Sequence, residues 1–204
     1  MLKLESDDLS LYLESSDIID YNNKNIVDLG DKLFNESKDE IDYIKKAFEY
    51  VRDNISHSAD INNNELVYKA SDVLIKGHGI CFSKSHLLAG LLRYKNIPSG
   101  FSYQKIILDD KNAPILVYHG LNGVFIEEYD KWIRLDPRGN VNGIDAQFSI
   151  SKEKLAFPIR EEKNEFDVKV IFYKPDNLII DVLKRNKTRK ELWNNLPTKL
   201  EIDK

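Results

Sequence analysis

Gly77-His78-Gly79-Ile80-Cys81-Phe82-Ser83-Lys84-Ser85 places two glycines and then the chain's single cysteine at the head of an apolar run through Leu87, Leu88, Leu91 and Leu92. The spacing predicts a helix over residues 81–94. At about 100° per residue the four leucines share one arc, and Cys81 lies at its edge. Pro98 closes the helix, because a proline disfavours helical geometry in the residue before it. A cysteine in the first turn meets unpaired N–H groups and the positive end of the helix dipole, and both favour a thiolate. Gly79 leaves the backbone before the thiol bare, and the Cys81 N–H is placed to donate to an oxyanion. Position alone would make Cys81 a small buried hydrophobe. The flanking glycines and the residues downstream turn the reading toward a nucleophile.

Beyond Gly100 the pattern alternates, predicting strands over residues 101–108, 115–126 and 132–136, with another near 166–172. His119 falls within the second of these and Asp136 closes the third. The turn between them is Glu127-Glu128-Tyr129-Asp130. A loop of four residues sets Asp136 opposite Leu121, on the same face as His119 and diagonal to it. Diagonal neighbours lie about 7–8 Å apart, within reach of a carboxylate–imidazole hydrogen bond. An odd loop would send the two side chains to opposite faces. Cys81, His119 and Asp136 thus read as thiol nucleophile, general base and orienting carboxylate.

The remaining segments are helical before these strands and after them. Ile41, Ile44, Ala47, Phe48 and Val51 recur at three and four, predicting a helix over residues 39–52. A short helix over 71–76 stops at Gly77. Residues 2–13 alternate loosely and read as one or two strands. A last helix is predicted from 177 to 195, ended by Pro197. Helices first and strands second describe an α+β domain with the nucleophile on a central helix. A chain of 204 residues fits one domain over 1–204, with its core at about 40–140 and elaborations on both sides.

Composition narrows the function classes. Hydrophobic residues make up 42% and charged residues 31%, as in ordinary globular proteins. A net charge of −4 gives no field to recruit nucleic acid or anionic lipid. No apolar run approaches the roughly 20 residues needed to span a bilayer. The first residues are acidic where a signal peptide would be apolar. One cysteine can form neither an internal disulfide nor a cysteine-rich zinc site. The expectation is a cytoplasmic, reduced protein with no membrane, nucleic-acid or metal partner; oligomeric state is left open.

The other histidines have bland readings. His78 belongs to the turn before the helix, as a cap or facing solvent. His86 lies about 140° around the helix from Cys81 and points elsewhere. His57 reads as a loop histidine with a local hydrogen bond, or else as a wall of the cleft. Tyr103 and Gln104 can line the same cleft, with Gln104 a candidate second oxyanion donor. The run Lys184-Arg185-Asn186-Lys187-Thr188-Arg189-Lys190 reads as the solvated face of a helix. Trp132 and Trp193 read as core anchors.

The blocks Ala70-Ser71-Asp72-Val73-Leu74, Gly77 to Cys81, Leu87-Leu88-Ala89-Gly90-Leu91-Leu92-Arg93 and Ile97-Pro98-Ser99-Gly100-Phe101 resemble the transglutaminase-like superfamily, its small bacterial members in particular. His119-Gly120 and Lys131-Trp132-Ile133-Arg134-Leu135-Asp136-Pro137 extend the resemblance, which covers roughly residues 40–140. It implies a papain-like fold in which a helix N-terminus presents cysteine to an antiparallel sheet bearing histidine and aspartate. It assigns Cys81 as nucleophile, His119 as general base and acid, and Asp136 as orienter, with no cofactor. Leu121 departs from the aromatic residue that many relatives carry two positions after the histidine. Peptide N-glycanases, which add paired Cys-x-x-Cys zinc ligands, and arylamine acetyltransferases, with a different sequence around their cysteine, are set aside.

The implied chemistry is acyl transfer on a peptide or protein amide. Water as acceptor makes a cysteine peptidase or amidase, the favoured expectation. An amine makes a transglutaminase, and glutamine with water makes a deamidase. Two further alternatives are a catalytically silent peptide-binding module, and an enzyme closed by its own flanks, residues 145–204 among them. An odd loop, or a Cys81 far from His119, would favour the binding module.

Overall fold

The computed structural model describes residues 2–141 and 143–201. In chain order the elements are β1 (Lys3–Leu4), a 3-10 turn (Leu9–Leu13), α1 (Lys24–Asn35), α2 (Glu40–Asn54), β2 (Ser56–His57), α3 (Ala70–Lys76), β3 (His78–Gly79), α4 (Cys81–Tyr94), β4 (Ser99–Asp109), β5 (Ala113–Ile126), β6 (Lys131–Leu135), β7 (Phe166–Phe172), α5 (Asn177–Arg185) and α6 (Arg189–Trp193). Sequence chemistry sets several helix starts. The side chains of Asn23, Asp39, Asp176 and Thr188 accept backbone N–H groups at the heads of α1, α2, α5 and α6. Gly77, at φ 69°, takes the left-handed conformation that ends α3.

One sheet runs β1-β7-β4-β5-β6, with β1 parallel to β7 and the remaining pairs antiparallel. A small second sheet pairs β2 with β3 in parallel. The architecture is the expected α+β. Helix α4 lies between two hydrophobic clusters. Leu87, Leu88, Leu91 and Leu92 pack with α1, α2 and α3, while Phe82 and Ala89 join Phe101, Tyr103 and Tyr118 of the sheet. The single apolar arc predicts a half-exposed helix, yet α4 is buried all round. Its polar residues manage this by finding backbone acceptors: Ser83 Oγ donates to Val67 O at 2.6 Å, and Arg93 donates to Ser99 O, Glu14 O and Tyr173 O.

Three local expectations need correction. Helix α1 is not anticipated from the sequence, where Gly30 interrupts the apolar repeat. That glycine is imposed from outside the helix, since a Cβ there would sit 2.7 Å from Tyr94 Cδ1. Residues 2–13, read as one or two strands, hold one strand of two residues and then a 3-10 turn headed by Asp8. The C-terminal helix is broken into α5 and α6, because the loop 62–64 claims the chain between them. Arg189 N–H donates to Asn64 O at 2.9 Å, and Arg189 Nε to Asn63 O at 2.7 Å. Arg189 is therefore a buried member of a basic run read as solvated.

Glycine is also required where α4 meets the sheet. A Cβ on Gly120 would lie 2.5 Å from Phe82 Cδ1, so β5 approaches the first turn of α4 only because residue 120 has no side chain. Gly120→Ala is expected to destabilise the fold by about 1–3 kcal/mol through overpacking. Thermal unfolding should register a drop in Tm of several degrees. An unchanged Tm would mean that the Phe82 ring steps aside without strain.

Candidate active site

The left-handed Gly77 turns the chain from α3 into β3. There Ser56 N–H donates to Gly77 O at 2.9 Å and Ser58 N–H to Gly79 O at 3.0 Å. This pairing sets His57 opposite Gly79, two residues before Cys81. A Cβ on Gly79 would meet Ser83 Cβ at 2.8 Å and Val73 Cγ1 at 3.3 Å, so packing against α3 and α4 requires this glycine. Helix α4 starts at Ile80 without a side-chain cap, and its leading N–H groups face whatever enters the site. Cys81 is half-buried there.

The turn between β5 and β6 is even. Ile126 pairs with Lys131 and Asn122 with Leu135, and the same register carried one step further puts Asp136 opposite Leu121. The expected diagonal contact forms: His119 Nε2 lies 2.8 Å from Asp136 Oδ2. Asp136 is almost wholly buried, and its remaining capacity is filled by Ala156 N–H to Oδ2 at 3.0 Å and Arg138 N–H to Oδ1 at 3.2 Å. With Nε2 committed to Asp136, Nδ1 is the nitrogen left for the thiol. The His119 ring and the Gly120 N–H stand beside Cys81 and act on its thiol.

Burial opposes charge on all three groups, and their mutual attraction overcomes it. For Cys81, burial raises the thiol pKa, but the adjacent imidazolium, its hydrogen bond and the Gly120 N–H bring it below the ordinary value. For His119, burial lowers the ring pKa, but Asp136 and the thiolate raise it to about 10. For Asp136, burial raises the carboxyl pKa, whereas His119 and the two backbone donors hold it below the usual range. The favoured state is a thiolate–imidazolium pair supported by a carboxylate.

The other sequence candidates separate. His57 is buried, lines the cleft beside Cys81, and has no hydrogen-bond partner on Nδ1. Burial first, then the charge of Arg138, lowers its pKa to about 3, so it is a neutral imidazole. Gln104 sits opposite His119 in the sheet, but its amide donates to Phe157 O at 3.4 Å and it does not line the cleft. Tyr103 packs among Phe82, Tyr118 and Phe172, with its hydroxyl accepting Asp176 N–H at 3.0 Å. Neither is placed as an oxyanion donor, because the cross-strand order that puts Gln104 next to His119 also tucks it beneath the strap carrying Phe157. His78, read as a cap or solvent-facing, is buried with Nδ1 3.0 Å from Ser58 Oγ. His86 does point elsewhere, its Nδ1 2.6 Å from Tyr68 O.

A cleft of about 450 Å³ opens over Cys81, His119 and His57, walled by Ile80, Trp193 and Leu196. Several contributors were not read from the sequence. Phe157 meets His119 edge-on, with ring centroids 4.9 Å apart and planes at 88°. Trp193, read as a core anchor, is a cleft wall, and the segment after it is tied to β5 by Tyr118 N–H donating to Pro197 O at 3.2 Å. These residues carry no motif, and only the return of the chain brings them to the site. Lys84 is the exception, a lysine amid the buried positions of α4, visible as an anomaly in the sequence. Burial, and the charge of Arg138 next, brings its pKa down to about 7. Among the described residues no group of three or more His, Cys, Asp or Glu side chains comes together as a metal site, and no helix is long and apolar enough to cross a membrane.

A family model described as the transglutaminase-like superfamily matches residues 27–137, which include Cys81, His119 and Asp136. No curated protein matches by sequence. Among solved structures, a candidate cysteine protease from Cytophaga hutchinsonii is similar at a TM-score of 0.52 and 19% identity, over 65% of this chain and 43% of that one. The periplasmic domain of TgpA from Pseudomonas aeruginosa, bound to ethylmercury, aligns at 0.45 and 16% identity, over 62% of this chain and 46% of that domain. Red sea bream transglutaminase aligns at 0.40 and 12% identity, over 65% of this chain and 26% of its own. The chain therefore spans less than half the length of each of these proteins.

The raised pKa of His119 makes its contribution to stability complete below about pH 6.5 and progressively lost as pH rises toward its folded value near 10. The lowered pKa of Asp136 makes its contribution complete above its ordinary value of 3.8 and lost on acidification. The stability advantage of the parent over Asp136→Asn should thus be greatest between about pH 4 and 6.5 and shrink toward pH 10. Urea unfolding at pH 5, 7 and 9.5 measures it. An advantage that grew with pH would contradict the buried imidazolium.

Proposed function

The chain belongs to the transglutaminase-like superfamily, and from that membership and the geometry of its site we propose that it carries out thiol-dependent acyl transfer on amide bonds, as a cysteine peptidase or amidase. Cys81 is the nucleophile, His119 the general base and acid, and Asp136 the orienting carboxylate. The observation that carries the reading is the continuous contact from the Cys81 thiol to the His119 ring and on to Asp136 at 2.8 Å.

The thiolate of Cys81 attacks the amide carbonyl carbon. A sulfur–carbon bond forms, and the carbonyl π electrons move onto oxygen. The Cys81 N–H is one donor for that oxyanion. His57 is the second, a neutral ring beside the thiol whose N–H hydrogen-bonds the negative charge and keeps its proton at neutral pH. Collapse of the intermediate breaks the carbon–nitrogen bond, and the proton on His119 Nδ1 passes to the departing amine. A water then attacks the thioester, giving its proton to the same nitrogen, and the acid leaves as the thiolate re-forms. Asp136 stays ionised throughout and fixes the tautomer and tilt of the ring. Phe157 packs against the imidazole in a T-shaped contact.

A peptide or protein amide suits this cleft, whose walls are largely apolar. Residues 1–204 are read as one functional domain. A reducing, cytoplasmic setting suits a protein with a single unpaired thiol. The self-occluded alternative draws support from Trp193 and Leu196 as cleft walls, but the remaining volume of about 450 Å³ above Cys81 favours an accessible site.

Iodoacetamide alkylation of Cys81 against pH is expected to show a reactive plateau well below the ordinary thiol value of about 8.5, lost in His119→Ala. An ordinary thiol titration in the parent would sink the ion pair. Cys81→Ala should keep its fold by circular dichroism and release no new amines from denatured protein or peptide-amide substrates. Turnover equal to the parent would remove Cys81 from the mechanism. His57→Phe should lower kcat by about 10²-fold with KM little changed, as expected for one oxyanion donor.

A further inference from the structure

Resting on the acyl-transfer reading above, we propose that Lys84 is a positioning residue that ties the strand bearing His57 and the loop following Asp136 to the helix that bears Cys81. Lys84 lies one turn beyond Cys81 on α4 and is completely buried. Its ammonium donates to three carbonyls from three places in the chain. Arg52 O, at 3.3 Å, belongs to the last turn of α2. Ile55 O lies two residues before His57. Arg138 O, at 3.1 Å, lies two residues after Asp136.

The arrangement answers two needs with one side chain. The last carbonyls of α2 have no partners within the helix, and a cation at the negative end of a helix dipole is favourable. An ammonium has three donors, and each finds an acceptor. No carboxylate is hydrogen-bonded to it. The charged groups around it are Arg138, Asp136, Asp60 and Asp53, acting at longer range. A lysine serving solubility would be exposed, and one serving an ion pair would have a carboxylate at its tip. Lys84 instead binds backbone alone, at the two segments that carry the neighbours of the thiol.

The loop side of this clamp is continuous with the site. Arg138 gives its carbonyl to Lys84, its own N–H to Asp136 Oδ1, and its guanidinium to both oxygens of Asp60 at 2.6 and 2.8 Å. Gly139, at φ 106°, leaves room for the ammonium: a Cβ there would lie 3.3 Å from Lys84 Nζ and 3.2 Å from Arg52 O. Releasing Lys84 frees the Arg138 backbone and loosens the hold on Asp136, so the imidazole tilts away from the thiol.

The test is the pH profile of Cys81 alkylation in Lys84→Met, with circular dichroism and Tm recorded beside it. Methionine fills the volume and removes a buried charge but leaves three carbonyls without their donor, so Tm should fall while circular dichroism stays native. The apparent thiol pKa is expected to rise by about one unit, giving a roughly tenfold lower rate at pH 6. Gly139→Ala reaches the clamp from the loop side with the lysine intact, and should shift the profile in the same direction. A packing role alone would lower Tm and leave the profile unmoved. If the parent shows the low thiol pKa and both variants retain it, the clamp is overturned. If the parent itself titrates as an ordinary thiol, the acyl-transfer reading falls, and the clamp falls with it.

Discussion

The close approach of β5 to the first turn of α4 is the constraint on which the site depends. It exists because Gly120 presents no Cβ to the Phe82 ring. With a side chain there, the helix N-terminus and the sheet would separate by a fraction of an ångström or more, and interiors absorb such shifts poorly. The same approach puts the Gly120 N–H against the thiol and the neighbouring His119 ring beside it. Packing and chemistry here are consequences of one missing substituent.

The electrostatics follow from that geometry. Removing a thiol, an imidazole and a carboxylate from water disfavours charge on each one alone. Brought into contact, they favour charge together; the backbone N–H of Ala156 shares Asp136 Oδ2 with the imidazole, and that of Arg138 satisfies Oδ1. The basic groups nearby are already occupied: Arg138 by Asp60, and Lys84 by three carbonyls. The thiolate therefore answers mainly to His119. The neutral His57 adds a polar ring to the cleft without adding a competing charge.

Residues outside the span matched by the family model complete the site. Ala156 and Phe157 come from the segment that follows Asp136 and returns over the sheet, and Trp193 and Leu196 come from the C-terminal region. Cys81, His119 and Asp136 thus fall within the matched span, while Phe157, Trp193 and Leu196 of the cleft wall lie beyond it.

The sequence by itself determined the α+β order, the helix that begins at Cys81, and the pairing of His119 with Asp136. Each of these rests on local rules. Glycines and leucine spacing define the helix, and a turn of four residues fixes which face Asp136 occupies, because side chains alternate strictly along a strand. Helix α1 was hidden because Gly30 answers to Tyr94, a residue distant in sequence. The split between α5 and α6 was hidden because Asn64 takes the backbone N–H groups of Arg189 and Lys190 that a continuous helix would have used. Only the tertiary structure decided between His57, Gln104 and Tyr103. All three lie in plausible places along the chain, but the sheet buries Tyr103 and Gln104 under other partners, and of the three His57 alone lines the cleft. The role of Lys84 was decided in the same way, since a lysine's burial is legible in α4 but the three carbonyls that satisfy it are assembled only when distant segments meet.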